Sequence, residues 1–326
     1  MSDHGFNADS ALPPALLGQI TQTRLQSADA VRQHATCRIR RRSLTAGGKL
    51  VILAADHPGR MVTAALGDPL ALANRREYLA RILRVLQCPE VDGLMATPDI
   101  IEEIIILDLL LEQGLLNERL LIGCMNRGGL AGTAFEMADT FTAYDARGLT
   151  EMNLDGAKLM FRLDPQDPAS GRTICKCSEA INDCLDHDLA VFLEPLAVTL
   201  DNGKYVVQKD AATMARICGV AAALGRSSLN TWLKLPYGPN YDVVARATTC
   251  PILMLGGEAV DDPLPLLRDL HTGMAAGPNV CGALIGRNVL FPGTADPAQM
   301  ARAVAAVIHG GLSAEDAWAG SEPEIR

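Results

Sequence analysis

Eight short apolar segments, separated by stretches long enough for a helix, constrain the fold more than any other feature of this sequence. They lie at residues 50–55, 93–96, 120–124, 157–161, 190–193, 231–235, 252–255 and 281–285. Strands that are buried on both faces of a parallel sheet consist of nearly continuous apolar residues, as these segments do. The pattern therefore predicts repeated strand–helix units around a parallel sheet.

Amphipathic segments between the strands supply the helices of these units. They are predicted at residues 74–87, 100–113, 178–187, 211–224, 263–270 and 298–309. A closed (β/α)8 TIM barrel and an open, doubly wound sheet are the two α/β folds that fit. The barrel is favoured, because eight units are present and no G-x-G-x-x-G motif follows the first strand.

The length of 326 residues accommodates one barrel, which needs about 250 residues, together with an extension. We predict an N-terminal helical extension at residues 1–47, beginning with a polar tail, and a catalytic barrel domain at residues 48–326. Residues 201–209, after the fifth strand, are predicted to form an excursion on the catalytic side.

Composition excludes several functions. The net charge of −9 argues against a nucleic-acid partner, and we interpret the basic run at residues 38–42 as a solvated helix face. The polar N-terminus predicts no secretion signal, and no apolar stretch reaches the roughly 20 residues of a membrane span. Nine cysteines in a chain of this length indicate reduced thiols and a cytoplasmic location. Cys175 and Cys177 have no second pair at metal-ligand spacing, which argues against zinc.

Lysine is the rarest basic residue, with six copies against 23 arginines, yet Lys158 and Lys234 lie within apolar strands. The lysine of such a strand is desolvated, and a second cation nearby lowers its pKa further, so that part of it is a free amine. A free amine can attack a ketone and form an iminium ion. The alternative is that both lysines are inert, each in a salt bridge with Glu194 or Asp56.

Polar residues at the predicted strand ends suggest further roles, because TIM barrels carry their chemistry there. Glycines with an arginine after strands seven and eight predict a phosphate site, and arginines after strands three and four predict a site for a second anionic group. Candidate proton carriers are Asp56, Glu194 and Tyr237. The phosphate candidates are Gly256, Gly257, Gly286 and Arg287, and those for the second anion are Arg127 and Arg162. His57 beside Asp56 is the only local hint of a metal, and the other histidines lack ligand spacing, so no metal is predicted.

Several of these segments resemble the archaeal-type class I fructose-bisphosphate aldolases and the related tagatose-bisphosphate aldolases. The sequence is most similar to a bacterial aldolase-like barrel branch encoded beside inositol-catabolism genes. The shared segments are residues 54–58, 125–130, 231–236 and 255–257, and the resemblance covers roughly residues 45–310. The loop at residues 236–240 and the arginines at 127 and 162 depart from the fructose-bisphosphate enzymes.

This resemblance implies a metal-free, cofactor-free lyase that cleaves a phosphorylated keto sugar or sugar acid. It places Lys234 at the Schiff-base position, Asp56 at the strand-one acid and Gly257, Gly286 and Arg287 in the phosphate cradle. Lys158 and Glu194 match active-site positions of the tagatose-type members, and His57 and Asn126 lie in the matching segments as substrate-binding candidates.

The implied substrate is 5-dehydro-2-deoxygluconate 6-phosphate, which would yield dihydroxyacetone phosphate and malonate semialdehyde. We expect a homo-oligomer. A thiolase-like or isomerase enzyme that uses the same lysine, or a non-catalytic barrel subunit, are the alternatives.

Overall fold

Eight parallel strands close into a barrel in the computed structural model, which describes residues 6–322. The strands are β1 (Leu50–Ala55), β2 (Gly93–Ala96), β3 (Leu120–Cys124), β4 (Gly156–Leu163), β5 (Ala190–Asp201), β6 (Lys204–Val207), β7 (Thr231–Pro236), β8 (Ile252–Leu255) and β9 (Val280–Ile285). All except β6 belong to the barrel, which is closed by pairing of β4 with β5 and of β1 with β9. The predicted TIM-barrel fold is therefore confirmed.

Thirteen α-helices are present among the described residues. They are α1 (Ala8–Ala11), α2 (Pro14–Gln26), α3 (Ala28–Cys37), α4 (Arg75–Leu86), α5 (Pro98–Leu111), α6 (Ala146–Glu151), α7 (Ala169–Asp186), α8 (Ala211–Ala222), α9 (Tyr241–Arg246), α10 (Leu264–Met274), α11 (Arg287–Leu290), α12 (Pro297–Ile308) and α13 (Ala314–Ala319). The six helices predicted from periodicity correspond to α4, α5, α7, α8, α10 and α12. α6, α9, α11 and α13 were not predicted, because four to six residues are too short for a helical period to show.

Side chains alternate between two cores along each barrel strand. In β1, Val51, Leu53 and Ala55 pack outward against the helices, whereas Leu50, Ile52 and Ala54 fill the barrel interior. The same interior core contains Phe192 from β5 and Trp232 from β7. This two-residue period determines which residues near the strand ends point into the barrel.

The segment after α3 lies against the N-terminal end of the barrel. Arg38 and Arg40 donate to the two oxygens of Asp155 at 2.9 and 2.7 Å, and Arg41 donates to Asp92 at 2.7 Å. Asp92 also accepts hydrogen bonds from the Val51 amide and from His309. The interpretation of this basic run as a solvated helix face is wrong, because α3 ends at Cys37 and Arg38 is buried.

The excursion predicted at residues 201–209 is a hairpin. β5 extends past the barrel to Asp201 and pairs antiparallel with β6. Because β5 runs on from its C-terminal end, the hairpin stands at the same end of the barrel as the strand-end residues. Its side chains alternate in exposure, unlike those of the buried strands, which is why β6 was not recognised as a strand.

Three helices, α1 to α3, precede the barrel, and its division from the extension at residue 47 stays a prediction. The first five residues of the predicted extension and the last four of the predicted barrel domain lie outside the described residues. In the part of the chain that is described, no helix combines the length and the apolar character needed to cross a bilayer.

Candidate active site

Four charged side chains meet inside the barrel near the C-terminal ends of its strands. The inward-facing residues Ala54, Phe192 and Trp232 are each followed two positions later by a charged residue. The two-residue period of a strand therefore turns these charges into the interior. They are Asp56, Glu194 and Lys234, and Lys158 of β4 joins them.

The two lysines share one carboxylate. The amine Nζ of Lys158 lies 3.1 Å from Oδ2 of Asp56 and 3.2 Å from Oε2 of Glu194. Nζ of Lys234 lies 2.9 Å from that same Glu194 oxygen. Lys158 is thus held by two carboxylates and has no exposed side-chain surface, whereas Lys234 is held by one and is 7% exposed.

The pairing of the two lysines with Asp56 and Glu194 determines how these side chains ionise. Burial alone would lower the pKa of Lys158, but Asp56 and Glu194 outweigh burial and raise it above its ordinary value. The predicted lowering is therefore wrong for Lys158, and the salt bridges with Asp56 and Glu194 that were named as the alternative are present. Burial opposes ionisation of the carboxylates too, yet Lys158 holds the pKa of Asp56 well below its usual range. Lys234 and Lys158 lower that of Glu194 to about 2.

Arg60 is a site residue that the sequence analysis missed. It ends a short 3-10 turn, Pro58–Arg60, after β1, and its Nη1 lies 3.8 Å from Oδ2 of Asp56. Its Nε is buried and has no hydrogen-bond partner within residues 6–322. Its place in the segment directly after β1 was the signal in the sequence that could have identified it.

His57 lies beside Asp56, with Nδ1 3.8 Å from the carboxylate oxygen Oδ1. Burial lowers the pKa of His57 to about 3, assisted by Arg60 and Arg287 and opposed by Asp56, so the imidazole is neutral at physiological pH. Of the side chains that the structure describes, no three His, Cys, Asp or Glu groups are arranged to hold a metal ion.

The predicted phosphate residues surround the ends of β8 and β9. Gly286 precedes α11 and packs so tightly on His57 that a Cβ at this position would lie 2.4 Å from the ring carbon Cε1. Gly257 has a φ of +76°, a backbone conformation that favours glycine, and the space around it is open. Arg287 is largely buried and 4.0 Å from the exposed Glu258, and its Nε has no partner in the described chain. Burial lowers the pKa of this guanidinium.

A second missed residue, Asn288, braces this turn. Its Nδ2 donates to the carbonyl oxygen of Gly256 at 2.5 Å, which ties the end of β8 to the beginning of α11. Its Oδ1 is buried and accepts no hydrogen bond from the described residues. Nothing in the local sequence marked this asparagine as different from a surface one.

Arg162 points inward from β4, four residues after Lys158. Its Nη2 lies 3.0 Å from Glu136, a residue of the long loop between β3 and β4. Its Nη1 is buried and has no partner among residues 6–322. The pKa of Arg162 is lowered by burial first and by the nearby Arg60 second. Both arginines contact the loop between β3 and β4: a Cβ at Gly129 would lie 3.1 Å from Nη1 of Arg162, and the carbonyl of Arg60 accepts from the Ala131 amide.

Arg127 does not join Arg162. Its Nε donates to Thr142 at 3.1 Å and its Nη1 to the carbonyl of Gly59 at 3.5 Å. Both contacts are with loops at the rim. Arg127, which was predicted to bind the second anion together with Arg162, therefore makes its contacts at the rim instead.

Two predicted site residues face elsewhere. The ring of Tyr237 packs on Tyr241, with centroids 5.3 Å apart, and lies against α10 at Gly273. It follows the inward-facing Lys234 by three positions, so the strand alternation turns it outward. Asn126 is buried, and its Nδ2 donates to Asp139 and to the carbonyl of Met160, while its Oδ1 accepts from the Met160 amide. Its donors are already used, on the loop at Asp139 and on β4 at Met160. Proton transfer by Tyr237 and substrate binding by Asn126 stay predictions.

Comparisons with known proteins agree with this architecture. Residues 48–307 match the model of a family described as Cgl0159-like. The crystal structure of Cgl0159 from Corynebacterium glutamicum is 33% identical, covers 92% of this chain and 99% of its own, and superposes with a TM-score of 0.86. No curated protein matches the sequence.

Class I aldolases share the fold at lower identity. An archaeal fructose-1,6-bisphosphate aldolase, solved with its catalytic lysine bound to a carbinolamine intermediate, is 19% identical, covers 86% of this chain and 100% of its own, and has a TM-score of 0.59. Fructose-bisphosphate aldolase from Slackia heliotrinireducens is 14% identical, covers 92% of this chain and 93% of its own, and has a TM-score of 0.63. At such identities these likenesses show an aldolase-like barrel and nothing finer.

Proposed function

Because this chain belongs to the Cgl0159-like family, and because its barrel interior holds a buried pair of lysines, we propose that it is a class I aldolase with Lys234 as the Schiff-base lysine. Its proposed substrate is a phosphorylated keto sugar or sugar acid. One observation carries the proposal: two lysines share a carboxylate, and Lys234 is the one with a single partner and an exposed edge.

The unequal pairing separates the roles of the two lysines. An amine attacks a carbonyl only after it loses a proton, and Glu194 Oε2 is the acceptor within reach of Lys234, at 2.9 Å. Lys158, whose pKa is raised, stays charged beside it. Its fixed positive charge stabilises the oxyanion that forms when the amine adds to the ketone.

The reaction proceeds through one covalent intermediate, in which Lys234 is bonded to the substrate. Lys234 adds to the ketone carbon, water leaves, and the resulting iminium withdraws electrons from the neighbouring C–C bond. A carboxylate takes the proton from the substrate hydroxyl as this bond breaks, and the aldehyde departs. The remaining enamine takes up a proton, and water then hydrolyses the imine and releases the second product. Asp56 and Glu194, both ionised, are the bases next to this carbon.

Arg287 and the glycine turns at 256–257 and 286 are proposed to bind the phosphate. A largely buried guanidinium with an unpartnered Nε provides a directed donor as well as charge. Following the resemblance to the branch encoded with inositol-catabolism genes, we propose 5-dehydro-2-deoxygluconate 6-phosphate as the specific substrate. Dihydroxyacetone phosphate and malonate semialdehyde would be its products.

Borohydride trapping tests the proposal. The enzyme is incubated with dihydroxyacetone phosphate and reduced, and the adduct is located by peptide mass spectrometry. We expect a stable adduct on Lys234, both before and after exhaustive EDTA treatment. Loss of aldol activity with EDTA that zinc restores would contradict a metal-independent mechanism. Absence of any lysine adduct in a protein that still cleaves its substrate would exclude the Schiff base.

A further inference from the structure

We propose that Arg60 and Arg162 form a subsite for a carboxylate at the end of the substrate opposite the phosphate. Arg60 comes from the turn after β1 and Arg162 from the end of β4, and both contact the loop between β3 and β4, Arg60 at Ala131 and Arg162 at Gly129 and Glu136. This subsite rests on the proposed function and assigns the residues that bind the carboxylate of a sugar-acid substrate.

Unmet hydrogen bonding is the first observation. Nε of Arg60 and Nη1 of Arg162 are buried without a partner in the described part of the chain. The side chain of Arg162 is 9% exposed and that of Arg60 13%. A buried donor that lacks a partner is costly, and such groups are retained where a ligand supplies the acceptor. Two such nitrogens fit the two oxygens of one carboxylate.

The balance of charge is the second observation. Five cations surround the site, and they are Arg60, Lys158, Arg162, Lys234 and Arg287. Three largely buried carboxylates pair with them, and these are Asp56, Glu136 and Glu194. The fourth, Glu258, is 88% exposed. These cations outnumber the largely buried carboxylates even when the half-buried Asp139, which accepts a hydrogen bond from Asn126, is added, so the site favours an anionic ligand.

The contact with Glu136 is the third observation. This loop residue places a carboxylate 3.0 Å from Nη2 of Arg162, which shows that the guanidinium accepts a carboxylate neighbour in this position. The loop also meets the other arginine, because the Ala131 amide donates to the carbonyl of Arg60. A substrate carboxylate between Arg60 and Arg162 would therefore lie under the loop between β3 and β4.

Matched six-carbon phosphates test this subsite without covalent chemistry. 6-Phosphogluconate and D-glucitol 6-phosphate differ only at C1, which is a carboxylate in one and a neutral hydroxymethyl group in the other. Neither has a ketone, so neither forms a Schiff base. By calorimetry we expect 6-phosphogluconate to bind about ten-fold more tightly or better, the gain typical of a charge-assisted hydrogen bond. D-Glucitol 1,6-bisphosphate, which replaces the carboxylate with a second phosphate, should bind less tightly than 6-phosphogluconate.

Variants assign the effect to residues. Arg60→Gln and Arg162→Gln should each remove most of the preference for 6-phosphogluconate and leave the Kd of D-glucitol 6-phosphate unchanged. Arg127→Gln is the control, because this arginine is engaged at the rim, and it should keep the preference. Equal affinity for both monophosphates, no binding of either, tighter binding of the bisphosphate, or equal weakening of both ligands by the variants would overturn the subsite. A clear preference in a protein that forms no adduct with dihydroxyacetone phosphate would retain the subsite and reject only the aldolase function.

Discussion

The two ends of the barrel differ in how fully their buried charged side chains are hydrogen-bonded. At the N-terminal end, Asp155 accepts hydrogen bonds from Arg38, Arg40 and the Leu121 amide, and Asp92 is similarly saturated. Nε of Arg38 is the one buried nitrogen of these side chains that has no hydrogen-bond partner in the described chain. At the C-terminal end, four cationic or imidazole side chains each leave a buried nitrogen unpartnered within the same residues. They are His57, Arg60, Arg162 and Arg287.

This difference separates structural charge from functional charge. A buried ion pair that serves only the fold is stable when each polar atom has a protein partner. A binding site keeps its donors free and obtains the missing acceptors from the ligand. Counting ion pairs would not distinguish the two ends, since both have several, whereas counting unmet donors does.

The largest effect is expected where the C-terminal end performs chemistry. Lys234→Met should abolish the borohydride adduct and reduce turnover by roughly 10³-fold or more, because the covalent intermediate is lost. The exposed Lys209→Met is the matched control and should retain activity. An adduct on Lys158 in the unmodified enzyme would move the nucleophile to β4 and reverse the roles of the two lysines.

The next largest effect should appear at the N-terminal end, as lost stability and not as lost turnover. Asp155→Asn leaves Arg38 as a buried cation without its countercharge, which typically costs about 3–5 kcal/mol of unfolding free energy. Denaturant unfolding measures the loss, and kcat of the folded fraction should not change. Asp186→Asn, in the exposed pair with Arg226, is the control and should leave the free energy of unfolding nearly unchanged, because solvent screens this pair. We call the ion pairs of Arg38, Arg40 and Arg41 with Asp155 and Asp92 the N-terminal clamp. Similar losses for both variants would show that this clamp does not stabilise the fold.

A smaller effect is expected at the phosphate cradle. Removing a buried partner of a substrate anion costs about 2–5 kcal/mol, so Arg287→Ala should raise KM for phosphorylated substrate by about ten-fold or more. Steady-state kinetics measures this, with the exposed Arg246→Ala as the control. An unchanged KM would remove Arg287 from the site.

The smallest effect concerns the acid dependence of stability. The pKa of His57 falls from its ordinary 6.5 to about 3 on folding, so between these values the unfolded chain binds a proton that the folded chain does not. Its contribution is therefore fully present above pH 6.5 and is lost as pH falls toward 3. His57→Asn should flatten the slope of stability against pH by at most about 1.4 kcal/mol per pH unit in this window. An unchanged slope would refute a buried neutral imidazole.

The barrel could be predicted because its strands are buried on both faces, which leaves a simple apolar signature. Four of the eight barrel strands have the predicted bounds. The hairpin strand β6 could not be found in this way, since it has only three consecutive apolar residues, Tyr205 to Val207, and is partly exposed. The short helices that follow several strands could not be predicted, because four to six residues are too few to show a helical period.

The site was predictable only as far as strand alternation reaches. Lys158, Glu194 and Lys234 lie within strands and converge as expected, and Asp56 follows β1 directly. Tyr237 could have been rejected by the same alternation, because it lies an odd number of positions after Lys234. Arg60 and the bracing role of Asn126 depend on loop conformations, for which no periodic pattern exists.

The clamp at the N-terminal end also affects the order in which the chain can fold. Arg38 meets Asp155 across 117 residues of sequence, and Asp92 meets His309 across 217. During synthesis, the arginine segment is made before Asp92 and Asp155, so its contacts with them cannot form until those residues have been added. Contacts of such long sequence separation slow folding, because the entropy of closing the loop is lost before the contact is gained. By this argument the contact of Arg38 with Asp155 forms after that of Arg41 with Asp92, which spans only 51 residues, and the contact of Asp92 with His309 forms later still.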